Sequence, residues 1–314
     1  MLGRTANGIV WMFRYLERAD NIARLIDAGF RMAMTRGTID AEDEWRSVVT
    51  TAGMRRAYAE HHGHYAGTLV FNFMLRDRDN PGSVLNIIEQ ARSNARTVRT
   101  ALTREVWEAV NLNWMHVRQA LARPVREANL RDVLDIIRRD SNQVRGAVLG
   151  TMLRNEIFNF TRIGKFIERA ENTARILDVK YYVLLPAVSY VGSSLDNVQW
   201  DNVLRSVSAE RAYRWLNAGR MDPRRIADFL ILDGRFPRSL AYCYAKLGSN
   251  LASLARDHGQ EMPSHALLAA AAAELSGGSI ERIFDTGLHQ FITGFIARNQ
   301  ALAAQIERDY RFAN

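Results

Sequence analysis

Cysteine is nearly absent: Cys243 is the only one in 314 residues, which excludes an intrachain disulfide and a cysteine-only metal cluster. Backbone breakers are scarce, with 20 glycines and 6 prolines, and such a chain favours helix over an all-β fold. Apolar runs such as Leu267 to Ala273 fall far short of the roughly 20 residues needed to cross a bilayer. The start, Met1-Leu2-Gly3-Arg4-Thr5, lacks the basic-then-apolar order of a signal peptide, so a cytoplasmic location is the expectation. Lysine is also rare. Of 42 basic residues only Lys165, Lys180 and Lys246 are lysines, which leaves 39 arginines.

Arginine presents a flat fork that grips carboxylates and phosphates with two hydrogen bonds, where lysine acts as a point charge. The net charge is +8 against 34 acidic residues, and the arginines are interleaved with acids along helical stretches. No block of like charge marks a nucleic-acid tail, so nucleic acid is an unlikely partner. A hydrophobic content of 47% with 24% charged residues describes a folded globular chain rather than a disordered one.

Apolar residues at three- and four-residue spacing predict helix nearly throughout. A first helix covers about Thr5 to Met34, on a stripe of Met12, Tyr15, Leu16, Ala19, Ile22, Ala23 and Ile26. Helical pattern continues over about 42–52, 54–75, 82–102 and 104–122, with a break at Arg123-Pro124. A long stretch over about 130–185 divides near Gly150. Pro186 to Asn197 reads as the longest loop, and helices follow at about 199–217, 223–232, 238–257, 263–275 and 279–311. The expected fold is all-α.

An internal repeat stands out. Arg14-Tyr15-Leu16-Glu17-Arg18-Ala19-Asp20-Asn21-Ile22-Ala23-Arg24-Leu25-Ile26-Asp27 returns 151 residues later as Lys165-Phe166-Ile167-Glu168-Arg169-Ala170-Glu171-Asn172-Thr173-Ala174-Arg175-Ile176-Leu177-Asp178. Seven of the fourteen positions are identical, against about one by chance. A second pair follows at an offset of 156: Phe73 to Asp77 with Pro81 and Ser83 matches Phe229 to Asp233 with Pro237 and Ser239. Two related helical halves are expected, over 1–125 and 126–314, packed as one body.

Five of the seven identities are polar, whereas core packing alone would preserve apolar volume and let polar positions drift. On a helical wheel Glu17, Asn21 and Arg24 share a face nearly opposite the apolar stripe, as do Glu168, Asn172 and Arg175. Three readings fit: a solvated face held by pairs such as Asp20 with Arg24, a buried polar seam where the halves meet, or a binding site. The candidate binding residues are Arg14, Glu17, Arg18, Asn21 and Arg24 with Lys165, Glu168, Arg169, Asn172 and Arg175.

These motifs, with Trp11, Asn80-Pro81-Gly82-Ser83, Ala91-Arg92-Ser93-Asn94-Ala95-Arg96, Trp107-Glu108 and Thr151-Met152, resemble the alpha-E domain family of bacterial helical proteins over nearly the whole chain. The family's usual glutamate after Ala91-Arg92 is Ser93 here, which weakens any role for that position. The resemblance implies a companion of circularly permuted ATP-grasp ligases and of transglutaminase-like peptidases, in a system that forms or modifies peptide or amide bonds. On that basis the chain is expected to be a non-catalytic partner of an ATP-grasp-type ligase. The alternative is an enzyme of the same pathway, with Glu17 and Glu168 as acid/base groups and the motif arginines holding an anionic substrate.

Other features point to simpler roles. Glu60-His61-His62-Gly63-His64 gathers three imidazoles, but adjacent helical positions face apart, so exposed histidines are expected rather than a metal site. Glu17 and Glu168 lack the Glu-x-x-His companions of carboxylate metal bundles, and Gly277-Gly278-Ser279 lacks the lysine of a phosphate loop. No metal and no cofactor is assigned. Cys243 sits in an apolar helical stretch as a buried small side chain, and Trp11, Trp107, Trp114, Trp200 and Trp215 are expected to pack in the core or its grooves.

Overall fold

The computed structural model describes residues 3–36, 38–183, 194–218 and 221–312. Among them there is no strand. The helices are α1 (Gly3–Arg36), α2 (Thr38–Thr51), α3 (Arg55–His61), α4 (Gly67–Leu75), α5 (Val84–Thr97), α6 (Arg104–Ala120), α7 (Glu127–Thr151), α8 (Glu156–Val183), α9 (Ser194–Ser206), α10 (Glu210–Leu216), α11 (Pro223–Ile231), α12 (Leu240–His258), α13 (Pro263–Ser276), α14 (Ile280–Thr286) and α15 (Leu288–Asp309). The protein is all-α.

The two repeat helices, α1 and α8, lie against each other. Around them the packing follows the same order twice. α1 carries α2, α5 and α7, with α6 bridging α5 and α7; α8 carries α9, α12 and α15, with α13 bridging α12 and α15, while α9 also packs on α1 and α2 on α8. α7, which starts just past residue 125, therefore rests on α1 and α6. The matched loops before α5 and α12 end alike: the Ser83 hydroxyl accepts from the Asn86 N–H, and the Ser239 hydroxyl from the Tyr242 N–H. Each supplies an acceptor to an otherwise unsatisfied helix-start donor, a cap worth about 1 kcal/mol.

α1 and α8 are buried on more than one face. Ile9, Met12, Leu16, Ala19, Ile22 and Ile26 are 4% exposed or less, and so are Ile163, Phe166, Ile167, Ala170, Ala174 and Leu177. The helices approach so closely at Gly164 that a β-carbon there would stand 2.3 Å from the Val10 carbonyl oxygen. Only glycine permits this crossing.

Several expected helices are interrupted. The 54–75 stretch is two helices, because after His61 the chain turns through Gly63 to Tyr65, where the Tyr58 hydroxyl donates to the His64 carbonyl. The 199–217 stretch breaks between α9 and α10 at Ser208, whose φ of 56° lies in the left-handed region. The 279–311 stretch breaks at Gly287, with φ 102°. α9 begins at Ser194, inside the expected 186–197 loop; residues 186–193 lie outside the described residues.

Candidate functional site at the paired motif helices

Packing α1 on α8 turns the polar faces shared by the two repeat copies toward each other, and each copy's glutamate meets the other copy's arginine. Arg169 grips Glu17 with both arms of its fork, Nε to Oε1 at 2.7 Å and Nη2 to Oε2 at 2.9 Å. Arg18 grips Glu168 in the same way, Nε to Oε1 at 2.6 Å and Nη2 to Oε2 at 3.0 Å. Within each helix a second acid holds an arginine four residues on: Asp20 with Arg24 at 3.1 Å and Glu171 with Arg175 at 2.7 Å. The seam is buried, with Glu17 and Glu168 at 2% and 3% exposure and Asp20 at 0%. A solvated face is thus excluded for the two glutamates.

Further arginines complete each cluster differently. Arg145 of α7 reaches Glu17 at 3.2 Å and Asp20 at 3.3 Å. Arg238, in the loop before α12, donates Nη1 to Glu17 Oε1 at 3.0 Å and Nη2 to Asp20 Oδ2 at 2.9 Å. Around Glu168 the extra cation is Arg14, at 3.1 Å. Burial pushes the Glu17 carboxyl up, but the Arg169, Arg238 and Arg145 guanidinium groups outweigh it and hold it well below the usual carboxylate range. Glu168 is likewise lowered, by Arg18 and then Arg14 against its burial. Burial pushes Arg238 down to about 10, still charged at neutral pH. Lys165 suffers most: burial, then the nearby Arg169 charge, push its ammonium down to about 7.

A cavity of about 330 Å³ lies beside the Glu168 cluster, bounded by Arg18, Asn21, Glu168, Glu171, Asn172 and Arg175 together with the 52–54 turn and the Asn80-Pro81-Gly82 loop. Five of the ten candidate residues thus border one space. Glu17, Arg169 and Arg24 are on the Glu17 side, with the Arg24 guanidinium against the Ser208 hydroxyl. Arg14 lies over the Trp11 ring, 4.3 Å from its centre, and Lys165 faces the Phe166 ring at 5.1 Å.

A family model described as a predicted alpha-helical domain with a conserved ER motif matches residues 1–310. The chain belongs to the Alpha-E family. No curated protein and no solved structure matches it.

In this Alpha-E chain, Glu17-Arg18 and Glu168-Arg169 are adjacent glutamate–arginine pairs that engage each other across the α1–α8 contact. Sequence reasoning named Glu17 and Glu168 without their cross-copy partners, and each is neutralised by its own arginines. It missed Arg145, for which no local pattern gives a signal, and Arg238, for which one exists: Arg238 lies between the matched Pro237 and Ser239, where the other copy has Gly82. His61, His62 and His64 do not converge; His62 packs on Tyr58 and Phe73, and no group of three or more potential metal ligands occurs among the described residues. Cys243 is fully buried and its thiol is pushed up to about 12 by that burial. Trp215 departs from expectation: it is 88% exposed on the short helix α10. Among the described residues no helix is long and apolar enough to cross a membrane.

Proposed function

We propose that the protein is a non-catalytic helical partner of an ATP-grasp-type peptide or amide ligase system, in which a transglutaminase-like peptidase is a further partner. The motif glutamates and arginines hold the two central helices in register, and the cavity rim presents the motif residues that a ligand can reach: Arg18, Asn21, Asn172 and Arg175.

The observation that carries this reading is the occupancy of the motif carboxylates. A general acid or base working near neutrality needs a carboxyl raised toward that pH and a free oxygen aimed at substrate. Glu17 and Glu168 are lowered instead, and both oxygens of each accept from guanidinium groups. Such carboxylates suit assembly better than proton transfer, which weakens the rival enzymatic reading. The ligase connection comes from the family resemblance.

The test pairs the purified chain with an ATP-grasp-type ligase encoded in the same source. The expected result is no ATP turnover by the isolated chain, and a ligase whose amide-forming output rises when the chain is added. ATP turnover or amide formation by the chain alone, abolished in a folded Glu17→Gln or Glu168→Gln variant, would replace this proposal with the enzymatic one. A ligase indifferent to the chain would also count against it.

A further inference from the structure

The two motif clusters can be compared oxygen by oxygen, because the repeat matches Glu17 with Glu168 and Asp20 with Glu171. Glu17 Oε1 accepts from Arg169 Nε and from Arg238 Nη1. Glu168 Oε1 accepts only from Arg18 Nε among the described residues. Asp20 Oδ2 accepts from Arg238 Nη2. Glu171 takes Arg175 and Gln300 on Oε1, and its Oε2 accepts nothing among the described residues. Asp20 Oδ2 also accepts from Arg24 Nε and Arg145 Nη2, so its counterpart is Glu171 Oε1; the Glu168 side therefore lacks both bonds of an Arg238 fork and in addition leaves Glu171 Oε2 open. The residue matched to Arg238 is Gly82, and Gly82 borders the cavity.

Glycine is not needed at 82 for its backbone, which is not among the positive-φ positions. What it contributes is the absence of a side chain. The charges agree: among the described residues Arg24, Arg145, Arg169 and Arg238 surround Glu17 and Asp20, whereas Arg14, Arg18 and Arg175 alone pair with Glu168 and Glu171. The cavity side is one cation short of an arrangement that the same fold already accommodates. An independent mark comes from Asn172, 8% exposed on the cavity wall, whose Nδ2 is buried without a partner. Its amide oxygen and nitrogen exchange places by a half-turn, so this side chain can offer an acceptor to an incoming donor.

We infer that this cavity is a binding site for a guanidinium group, which enters beside Gly82, donates to Glu168 Oε1 and Glu171 Oε2, and so takes the place that Arg238 holds in the other copy. A flat fork can donate to two carboxylates at once, Glu168 and Glu171 both border the cavity, and its volume of about 330 Å³ is within the range of small-ligand sites, roughly 300–1,000 Å³. The group belongs either to a free small molecule or to an arginine side chain of a peptide. This site does not depend on the ligase proposal.

Calorimetric titration of the full chain with agmatine, with L-arginine and with a short peptide containing one internal arginine tests the inference, with n-butylammonium and acetate as controls. Guanidinium compounds should bind and raise the melting temperature, and both controls should bind about tenfold more weakly or not at all. Preference for agmatine or free arginine assigns the small-molecule source; preference for the peptide assigns the side chain. Gly82→Arg supplies the missing guanidinium from within and should abolish binding; its β-carbon meets only the flexible end of Met54 at 3.0 Å and Asn80 Oδ1 at 3.3 Å. Glu171→Gln, which keeps the shape and removes the open carboxylate, should weaken binding about tenfold and decides the matter if Gly82→Arg does not fold. No guanidinium binding at millimolar concentration, equal binding of the ammonium or carboxylate control, or binding unchanged in folded Gly82→Arg or Glu171→Gln would overturn the inference.

Discussion

Around Glu17 four guanidinium groups close on two carboxylates and fill the space between them; around Glu168 three do so, and a cavity stands where the fourth would lie. The helices, the reciprocal glutamate–arginine grip and the capped loop are common to both. The difference comes from a few positions: Arg238 against Gly82, Arg145 of α7 against Gln300 of α15, and Arg14 against Lys165. The same motif therefore supports a sealed cluster on one side and an open one on the other. Local motif identity sets the clasp, and residues far away in sequence set whether it is closed. Lys165 shows the consequence: on the crowded side Glu17 is already held by three arginines, and Lys165 makes no ion pair there among the described residues, whereas its counterpart Arg14 pairs with Glu168.

The sharpest contrast should be thermodynamic. Glu17→Gln leaves Arg145, Arg169 and Arg238 without their shared carboxylate and should cost about 3–5 kcal/mol in urea unfolding. Glu168→Gln should cost less, about 2–3 kcal/mol, because Arg18 is about a third exposed and water can solvate it. Equal losses would remove the distinction between a sealed and an open cluster. Both glutamates have lowered values in the folded chain, so their contribution is complete above the unfolded value near 4.3 and is lost as the pH falls through the folded values. An acid-unfolding curve of either variant should accordingly be flatter than that of the wild type.

Gly164→Ala probes the contact that brings the two clusters together. Its methyl group would meet the Val10 carbonyl, backbone that cannot swing away, so a loss of about 1–3 kcal/mol is expected. Thermal unfolding checks this, and an unchanged melting temperature would mean that α1 and α8 can separate at Gly164 without cost.

Lys165→Met should stabilise. The folded-state value near 7 is below the unfolded one, so the unfolded chain binds the proton more tightly. The penalty is complete below about pH 7 and fades as the pH rises toward the unfolded value near 10.4. After allowance for partial exposure, a gain of about 1–2 kcal/mol at pH 6.5 is expected, vanishing above about pH 10. A gain that is constant with pH would point to packing rather than charge. At the low end of the scale, Glu60→Gln removes the exposed partner of Arg56 and should change stability by less than about 0.5 kcal/mol.

Much of this could be read in the residues. Low glycine and proline with helical periodicity yield the all-α class, and the fourteen-residue repeat identifies α1 and α8 as the pair that matters. Glu17, Arg18, Glu168 and Arg169 are named by the repeat itself. What the repeat cannot give is orientation. A helical wheel sets Glu17 opposite the apolar stripe, which fits a solvent face, a buried seam and a binding site alike; α1 is surrounded, so that face meets α8. Arg145 comes from 128 residues away and no local pattern carries such a distance, whereas Arg238, 221 residues away, is marked only by its place between the matched Pro237 and Ser239. Helix breaks at Ser208 and Gly287 depend on single positive-φ residues within otherwise helical composition, which periodicity averages over.

Double-mutant cycles on the two crossed pairs test the clasp most directly: Glu17→Gln with Arg169→Leu, and Glu168→Gln with Arg18→Leu, each measured by equilibrium unfolding. The two substitutions in each pair should be strongly non-additive, with a coupling of about 1–3 kcal/mol, and the Glu17–Arg169 coupling should be the larger. Additivity within about 0.5 kcal/mol in both cycles would contradict the clasp, since each glutamate would then act independently of the other copy's arginine.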